Sequence, residues 1–294
     1  MKAAPFAYMR AASIAEAVRA CGPAAPGAKI MGGGQSLGPM LNMRLVRAAM
    51  LVDVSEAHDM RQARLQDGSL SIGGALTHAA IEDGALDAAL GPDHAPLAQM
   101  LRHVAGTIAY RAVRNRGTLA GSLAHADPAA DWVLAMIALD AQLQCVSAAG
   151  ARLAPAAQFM SGAFTTGLAE GELLAAALVP AYSSDMRWGY CKFCRKTGEF
   201  AEASCAVVLV PQRSVARIVI GALDGAPALL QGLAARIAQH GIAALSDPAV
   251  REAVAQAAPS KDEVGRRLLE AAVKRAVRQA LGVANEAQQL SGAR

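Results

Sequence analysis

The sequence predicts an α+β protein in which two N-terminal α/β segments precede a segment built from an antiparallel sheet and helices. Two observations predict this class. In the first part of the chain, short apolar runs of strand length alternate with helix-capping signals and glycine-rich loops. From about residue 178, three strand-like runs joined by short turns come before three helical patterns. We therefore predict segments at 1–58, 59–177 and 178–294.

The first segment opens with a helix signal. Ser13-Ile14-Ala15-Glu16 has the pattern of a capping box, in which the serine and the glutamate satisfy free N–H groups at a helix start. The helix is expected to stop at Gly22-Pro23. Apolar runs at Ala28–Met31 and Met50–Val54 then predict two strands. The order is that of a β/loop/α/β unit.

The second segment combines strand runs with capped helices. Thr77 is expected to cap a helix that begins at His78, and Pro96 to be the first residue of a helix reaching 103. Asp127 is expected to cap an apolar helix over 128–139. Strand runs are predicted at 69–73 and 143–146.

The third segment has three strand runs, at 189–196, 204–210 and 216–223. The last of its three helices is predicted to start at a second capping box, Ser260-Lys261-Asp262-Glu263. The apolar stripe of that helix is predicted to consist of Val264, Leu268, Ala272, Val273, Val277 and Leu281.

Composition excludes several classes of protein. Although 54% of the residues are hydrophobic, no apolar run approaches the roughly 18 residues of a membrane span. A net charge of +4 without any block of like charge argues against a nucleic-acid partner. The five cysteines, an odd number, and the absence of an apolar leader lead us to expect a cytoplasmic protein without disulfides. Cys191-Lys192-Phe193-Cys194 is interpreted as two thiols on a strand, and we expect no metal site.

Two glycine-rich segments, Gly32–Pro39 and Gly117–Ser122, are about eighty residues apart. Clustered glycines let the backbone approach a phosphate closely, so the pair predicts a ligand with two phosphates. The first segment lacks the third glycine of the dinucleotide fingerprint, and we expect no helix after it because Pro39 intervenes. Phosphate binding is therefore expected from irregular loops. The alternative is that both segments are ligand-free turns.

A cluster of three arginines, Arg111, Arg114 and Arg116, comes just before the second glycine segment. Such a cluster can meet a phosphate or lie in water on an exposed loop. Taken alone, it favours the solvated loop.

Four motifs resemble those of one known family. They are Gly32-Gly33-Gly34-Gln35-Ser36-Leu37, the run Ile72–His78, the run Arg114–Asp131 with the letters RNRGTLAGSLAHADPAAD, and Lys192 followed by Gly198-Glu199-Phe200-Ala201. In this order they resemble the FAD-binding medium subunit of the molybdenum hydroxylases, the family of aerobic carbon-monoxide dehydrogenase and xanthine dehydrogenase. The resemblance spans nearly the whole chain. It implies two FAD-binding subdomains of the PCMH/VAO type and a C-terminal flavoprotein domain.

The resemblance also implies which residues hold FAD. The two glycine segments are expected to hold the diphosphate, through Gly32, Gly33, Gly34, Gln35, Ser36, Leu37, Thr118, Leu119, Ala120, Gly121 and Ser122. Asp131 is expected to hydrogen-bond the sugar-like part of the flavin, Lys192 to lie near the isoalloxazine, and Phe200 to cover a ring face. Two departures stand out. Ala120 replaces a family glycine, and Ala109-Tyr110 stands where many relatives have Gly-His.

By resemblance, the chain is an electron-transfer subunit without catalytic residues of its own. A large molybdopterin subunit and a small subunit with [2Fe–2S] clusters are the expected partners, in a dimer of heterotrimers. Electrons would pass through FAD to NAD, a quinone or another acceptor. Two alternatives stay open: a stand-alone FAD-dependent oxidoreductase of the same fold, and a phosphate-ligand binding protein without redox chemistry.

Overall fold

The computed structural model describes residues 2–22 and 25–283, and three main sheets organise this part of the chain. The expected helix stop at Pro23 and the end of the predicted third segment, 284–294, lie outside the described residues. Within the described ranges, no helix is both long enough and apolar enough to cross a membrane.

The first sheet is parallel, with β3 (Met50–Asp53) between β1 (Ala7–Arg10) and β2 (Ala28–Met31). Helix α1 (Ile14–Ala20) connects β1 to β2. Its predicted cap is confirmed: the Ser13 hydroxyl accepts a hydrogen bond from the Glu16 N–H at 3.3 Å. The Glu16 carboxylate in turn accepts from the Ala12 N–H at 2.8 Å.

A helix begins at the end of the first glycine segment, so the expectation that Pro39 prevents a helix here is wrong. Helix α2 (Leu37–Asn42) begins at Leu37 and has Pro39 as its third residue. The N–H groups in the first turn of a helix have no acceptor within the helix. Proline, which lacks an N–H, is therefore tolerated there.

The second sheet has five antiparallel strands in the order β4-β5-β10-β6-β7. These are β4 (Ala63–Gln66), β5 (Ser69–Gly73), β6 (Gln142–Ser147), β7 (Gly150–Pro155) and β10 (Leu173–Pro180). The two predicted strands, now β5 and β6, are confirmed, and the predicted boundary at residues 177 and 178 falls inside β10. A separate hairpin consists of β8 (Met160–Gly162) and β9 (Thr165–Thr166).

Seven helices accompany this sheet: α3 (His78–Glu82), α4 (Asp87–Leu90), α5 (Ala95–Thr107), α6 (Arg111–Arg114), α7 (Leu119–His125), α8 (Asp131–Ala138) and α9 (Ala156–Phe159). Thr77 caps α3 as predicted, its hydroxyl accepting from the Ala80 N–H at 3.1 Å. The α8 prediction was wrong at its start. The Asp127 carboxylate instead accepts from the Ala129 N–H at 2.9 Å, which makes a turn, and the helix begins at Asp131.

The third sheet is antiparallel and consists of β11 (Arg187–Phe193), β12 (Ala203–Val210), β13 (Val215–Gly221) and the short β14 (Ala228–Leu229). The three predicted strands are confirmed, and β14 is a fourth. Three helices follow, as predicted: α10 (Gln231–His240), α11 (Asp247–Ala257) and α12 (Glu263–Ala280). Short 3-10 turns occur at His58–Met60, Pro92–His94, Pro211–Arg213 and Gly241–Ala244.

The cap and the apolar stripe of α12 differ from the prediction. Asp262, and not Ser260, is the N-cap, and its carboxylate accepts from the Gly265 N–H at 2.7 Å. Val264 is 66% exposed, whereas Leu269 and Ala276 are buried. The buried face of the helix is thus rotated toward residues that the stripe did not include.

Strand β12 joins two layers of the protein. Alternate residues point to opposite faces of a strand. One face, with Ala206 and Val208, belongs to the core that contains helix α8. The other face, with Cys205 and Val207, belongs to the core that contains α12. This packing places the C-terminal sheet directly against α8, whose first residue is Asp131.

Candidate functional site

The predicted site residues converge on one cleft of about 730 Å³. It is lined by Gly32–Leu37 from the first glycine segment and by Gly117, Thr118, Gly121 and Ser122 from the second. Asp131, Lys192 and Phe200 also line it. Leu119 and Ala120 do not, because their side chains are buried in the core. The cleft thus draws on all three predicted segments of the chain.

The two glycine segments touch each other at the cleft. A Cβ atom on Gly33 would lie 1.8 Å from the Arg116 carbonyl oxygen and 2.8 Å from the Gly117 nitrogen. A Cβ on Gly32 would lie 2.6 Å from the Thr118 hydroxyl. Only glycine can occupy these positions while the two backbones stay this close.

The first glycine segment presents unused backbone donors. Among the described residues, no acceptor is recorded for the N–H groups of 33–36. Gly34 has a φ of +71°, a left-handed conformation that glycine adopts without strain. Successive N–H groups in such a loop form a concave surface that binds anions.

The second glycine segment is different, because apart from the Thr118 N–H its amides are already bonded within the chain. The Leu119 N–H donates to the Leu76 carbonyl at 3.1 Å, and the Ala120 N–H donates to the Gly74 carbonyl at 3.0 Å. The Gly121 N–H donates to the Thr118 hydroxyl at 3.2 Å. This segment is the start of helix α7 and not an irregular loop, contrary to expectation. Ligand donors on this side must therefore come mainly from other groups.

Ala120, the departure from the family motif, lies within α7 and fits there. Its φ is negative, so the methyl group causes no backbone strain. The methyl instead faces Gly74, where an added Cβ would lie only 2.7 Å away from it. The absence of a side chain at Gly74 makes room for the one at Ala120.

His78 lies at the floor of the cleft and is 4% exposed. Its Nδ1 accepts a hydrogen bond from the indole N–H of the fully buried Trp132 at 3.0 Å. Burial, together with the smaller effect of the positive charge of Arg114, lowers the pKa of His78 to about 4. The imidazole is therefore neutral at physiological pH.

Asp131 and Lys192 form a buried ion pair in the cleft wall. The Asp131 Oδ2 lies 3.0 Å from the Lys192 Nζ, and both side chains are under 10% exposed. The other Asp131 oxygen accepts from the Tyr190 hydroxyl at 2.5 Å and from the Thr107 hydroxyl at 3.2 Å. Burial, followed by the charge of Asp131, raises the pKa of Tyr190, so this hydroxyl stays a donor.

The expectation of a solvated arginine loop holds only in part: Arg111 and Arg116 are exposed, but Arg114 is not, and 111–114 form helix α6. The Arg114 side chain is only 12% exposed and binds the Glu82 carboxylate through both Nε (2.8 Å) and Nη2 (3.1 Å). Its Nη1 donates to the carbonyls of Ile108 and Ala109. Arg111 pairs with Glu82 and Asp83. Within the chain, acidic side chains of helix α3 and the residue after it neutralise these charges.

Ala109 has a left-handed backbone with a φ of +43°. It lines the cleft, and its carbonyl oxygen would lie 2.9 Å from a Cβ on Gly198. The turn before Phe200 therefore packs directly on this segment. A glycine would adopt such a φ without cost.

Other cleft residues were not predicted. Lys29 and Met31 lie on strand β2 just before the first glycine segment, so their nearness to that segment is the signal that could have identified them. Phe164, between β8 and β9, stacks near His125 with ring centroids 5.2 Å apart. Nothing local in the sequence indicates that Phe164 reaches the cleft.

Comparisons with known proteins show which family the chain is similar to. Residues 4–182 match the family described as the FAD binding domain in molybdopterin dehydrogenase. The carbon monoxide dehydrogenase medium chain of Hydrogenophaga pseudoflava is 34% identical over 227 residues, 77% of each chain. The 6-hydroxypseudooxynicotine dehydrogenase complex subunit alpha of Paenarthrobacter nicotinovorans is 32% identical over 260 residues, which are 85% of this chain and 86% of that one. The structure of reconstituted CO dehydrogenase from Oligotropha carboxidovorans matches with a TM-score of 0.84 and 29% identity, covering 97% of this chain and all of that one.

Proposed function

Because the chain belongs to the family of FAD-binding subunits of the molybdopterin dehydrogenases, we propose that it is the electron-transfer subunit of a molybdenum hydroxylase. In this role it accepts electrons from [2Fe–2S] clusters of a partner subunit. It passes them through FAD to an external acceptor such as NAD or a quinone. The observation that carries the proposal is the cleft in which both glycine segments and the Asp131–Lys192 pair meet.

The residues of the cleft fit the diphosphate of FAD. The unused N–H groups of 33–36 form a donor array suited to phosphate oxygens. The glycines at 32 and 33 let this segment lie directly against the second one, so that both line the same cleft. On the opposite wall, the Ser122 hydroxyl lines the cleft and is a further donor. We assign the diphosphate to these groups.

We assign the flavin end of the cofactor to the wall built from the third segment. Lys192 is the residue proposed to lie near the isoalloxazine, Asp131 to bind the sugar-like part, and Phe200 to cover a ring face. Phe200 is 64% exposed at the edge of the cleft, where an aromatic ligand would bury it. Bound FAD supplies the electron-transfer chemistry. The protein orients it and sets the local charge.

The partners are proposed from the relatives. One relative is named a medium chain and another a complex subunit, so both belong to assemblies of several chains. We propose that this chain works with a large molybdopterin subunit and a small iron–sulfur subunit, as a dimer of heterotrimers. Oxidation of the substrate would take place on the large subunit. We assign no catalytic residue to this chain.

A cytoplasmic location is also part of the proposal. All five cysteines are free thiols, and Cys191 and Cys205 stay unpaired although they face each other on neighbouring strands. Structural disulfides are rare in reducing compartments, where such thiols persist.

The experiment is an absorbance spectrum of the purified chain after incubation with FAD and removal of excess cofactor. We expect flavin bands in the wild-type spectrum and their loss in Gly34→Val, since valine is strained at a φ of +71° and blocks the backbone approach. A colourless wild-type protein would refute the proposal, as would full FAD retention by a folded Gly34→Val protein. Co-purification with the iron–sulfur and large chains separates this function from a stand-alone flavin oxidoreductase.

A further inference from the structure

The hydrogen bond between Trp132 and His78 fixes the tautomer of the histidine. The indole nitrogen of tryptophan can only donate. Because it lies 3.0 Å from the His78 Nδ1, this ring nitrogen must be the acceptor. A neutral imidazole carries one proton, so the proton of His78 is on Nε2. The structure thus defines a histidine with a single N–H donor of known position.

This donor faces the cleft. A Cβ on Gly117 would lie 2.8 Å from the His78 Nε2, so the ring edge lies directly against the second glycine segment. Nε2 makes no hydrogen bond to the described residues, and it is not completely shielded from solvent. It is therefore open to the cleft that His78 lines. The Nε2–H is thus a donor in the cleft wall that has no acceptor among the described residues.

The position of the donor indicates which part of the ligand it meets. Gly117 lies between His78 and Gly33, since a Cβ on Gly33 would be 2.8 Å from the Gly117 nitrogen. The unused amides of 33–36 are on the far side of this contact. The amides of 119–121, on the near side, are already bonded within the chain. Gly33, Gly117 and His78 all line the cleft, so an anion bound along this wall can meet both the amides of 33–36 and the Nε2–H of His78.

We propose that the Nε2–H of His78 donates a hydrogen bond to an anionic oxygen of the ligand's diphosphate, and that Trp132 is the positioning residue that holds this tautomer. The inference rests on the proposed function, because the diphosphate is that of FAD. The buried imidazole is neutral, so it offers the anion one N–H donor without a buried positive charge. A hydrogen bond to a charged acceptor is also stronger than one between neutral groups.

The test compares three probes, FAD, ADP and riboflavin, by fluorescence titration and calorimetry on the full chain. ADP contains the diphosphate without the flavin, and riboflavin contains the flavin without phosphate. We expect His78→Leu to weaken FAD and ADP binding by about tenfold to a hundredfold, because one hydrogen bond to a charged group is lost. Riboflavin binding should stay unchanged. His78→Gln, whose amide N–H can replace the donor, should stay within about threefold of the wild type. His240→Leu, at an exposed histidine in α10, is the matched control.

A second measurement observes the tautomer directly in the wild-type protein. In protein labelled with ¹⁵N-histidine, the His78 signals should show a protonated Nε2 and an unprotonated Nδ1. The Nε2 signal should shift when ADP is added. In Trp132→Phe, the two nitrogens should lose this fixed pattern, and His78→Leu identifies the signals by their absence.

Three results would overturn the inference. The first is wild-type affinity for FAD and ADP in a His78→Leu protein with an unchanged circular dichroism spectrum. The second is a loss of riboflavin affinity as large as that for ADP, which would place His78 at the flavin. The third is a proton on Nδ1. Failure of the wild-type chain to bind FAD would instead refute the proposed function, and this inference with it.

Discussion

The carboxylate of Asp131 and the ammonium group of Lys192, 61 residues apart in the sequence, lie 3.0 Å apart with both side chains buried. Removing one partner of a buried pair leaves an uncompensated charge, which costs about 3–5 kcal/mol of unfolding free energy. We expect Lys192→Met to cause such a loss and the double variant Lys192→Met/Asp131→Asn to recover much of it. Urea unfolding followed by circular dichroism measures both.

Arg267→Met is the control for this cycle, because Arg267 pairs with Glu263 on the exposed face of α12, where both side chains are more than 70% exposed. An exposed pair is worth at most about 1 kcal/mol, so the loss should be small. Additive effects of the two changes at 131 and 192 would show that the pair is not coupled.

Gly33 and Gly38, five residues apart, are expected to respond in opposite ways to alanine. At Gly33 the new methyl group would meet the Arg116 carbonyl, so the two glycine segments must move apart, at a cost of about 1–3 kcal/mol. At Gly38, in helix α2, nothing lies within 4 Å, and alanine favours the helix by up to about 1 kcal/mol. Thermal unfolding and FAD titration of both variants check this. Equal behaviour of the two would contradict the close contact of the segments.

His78 makes the stability of the FAD-free chain depend on pH. Its pKa is about 4 in the folded protein and about 6.5 when unfolded, so the unfolded state takes up a proton first as the pH falls. The stabilisation is complete above pH 6.5 and is lost as the pH drops toward 4, by roughly 3 kcal/mol.

The measurement is urea unfolding at several pH values between 7 and 4. In His78→Gln the decline should be shallower by that amount, because glutamine does not titrate. Parallel curves for the wild type and the variant would show that His78 titrates in the folded protein as it does in the unfolded one.

Ala109 should accept glycine better than an ordinary helical alanine does. Its left-handed φ costs a residue with a side chain about 1–2 kcal/mol, which glycine avoids. The greater chain entropy of unfolded glycine offsets about 0.5–1 kcal/mol of this gain. Ala109→Gly should therefore be neutral or stabilising in thermal unfolding. Ala235→Gly, at an exposed position in helix α10, should cost about 1 kcal/mol. A similar loss at both positions would contradict the strain at Ala109.

The elements that sequence predicts best carry their signals locally. Ser13 and Thr77 each bond an amide three residues ahead, and this pattern is visible in the sequence itself. Strand β2, a short apolar run between a turn and a glycine segment, was predicted with its observed bounds. Predictions failed where two local rules competed. Proline usually breaks a helix, but Pro39 lies in the first turn of α2, where proline is compatible with a helix.

The cleft was predictable only in part, because its contacts are formed by distant segments. The glycine motifs identified the backbone of the site, and the family resemblance identified Asp131 and Lys192. These two residues meet because β11, which carries Lys192, pairs with β12, and β12 packs against α8; no local pattern encodes this arrangement. The closing of the Arg114 guanidinium on Glu82 likewise depends on how α3 and α6 meet.

The span of the cleft also determines when in biosynthesis the cofactor can be captured. The residues of its walls extend in the sequence from Lys29 to Phe200. Lys192, which pairs with Asp131, lies on a strand that is translated late. On the ribosome, Asp131 is translated about 60 residues before Lys192, its partner in the ion pair. Until then the carboxylate must stay hydrated, and the part of the cleft at His78 has no closing wall. We therefore expect cofactor insertion to follow folding of the third sheet.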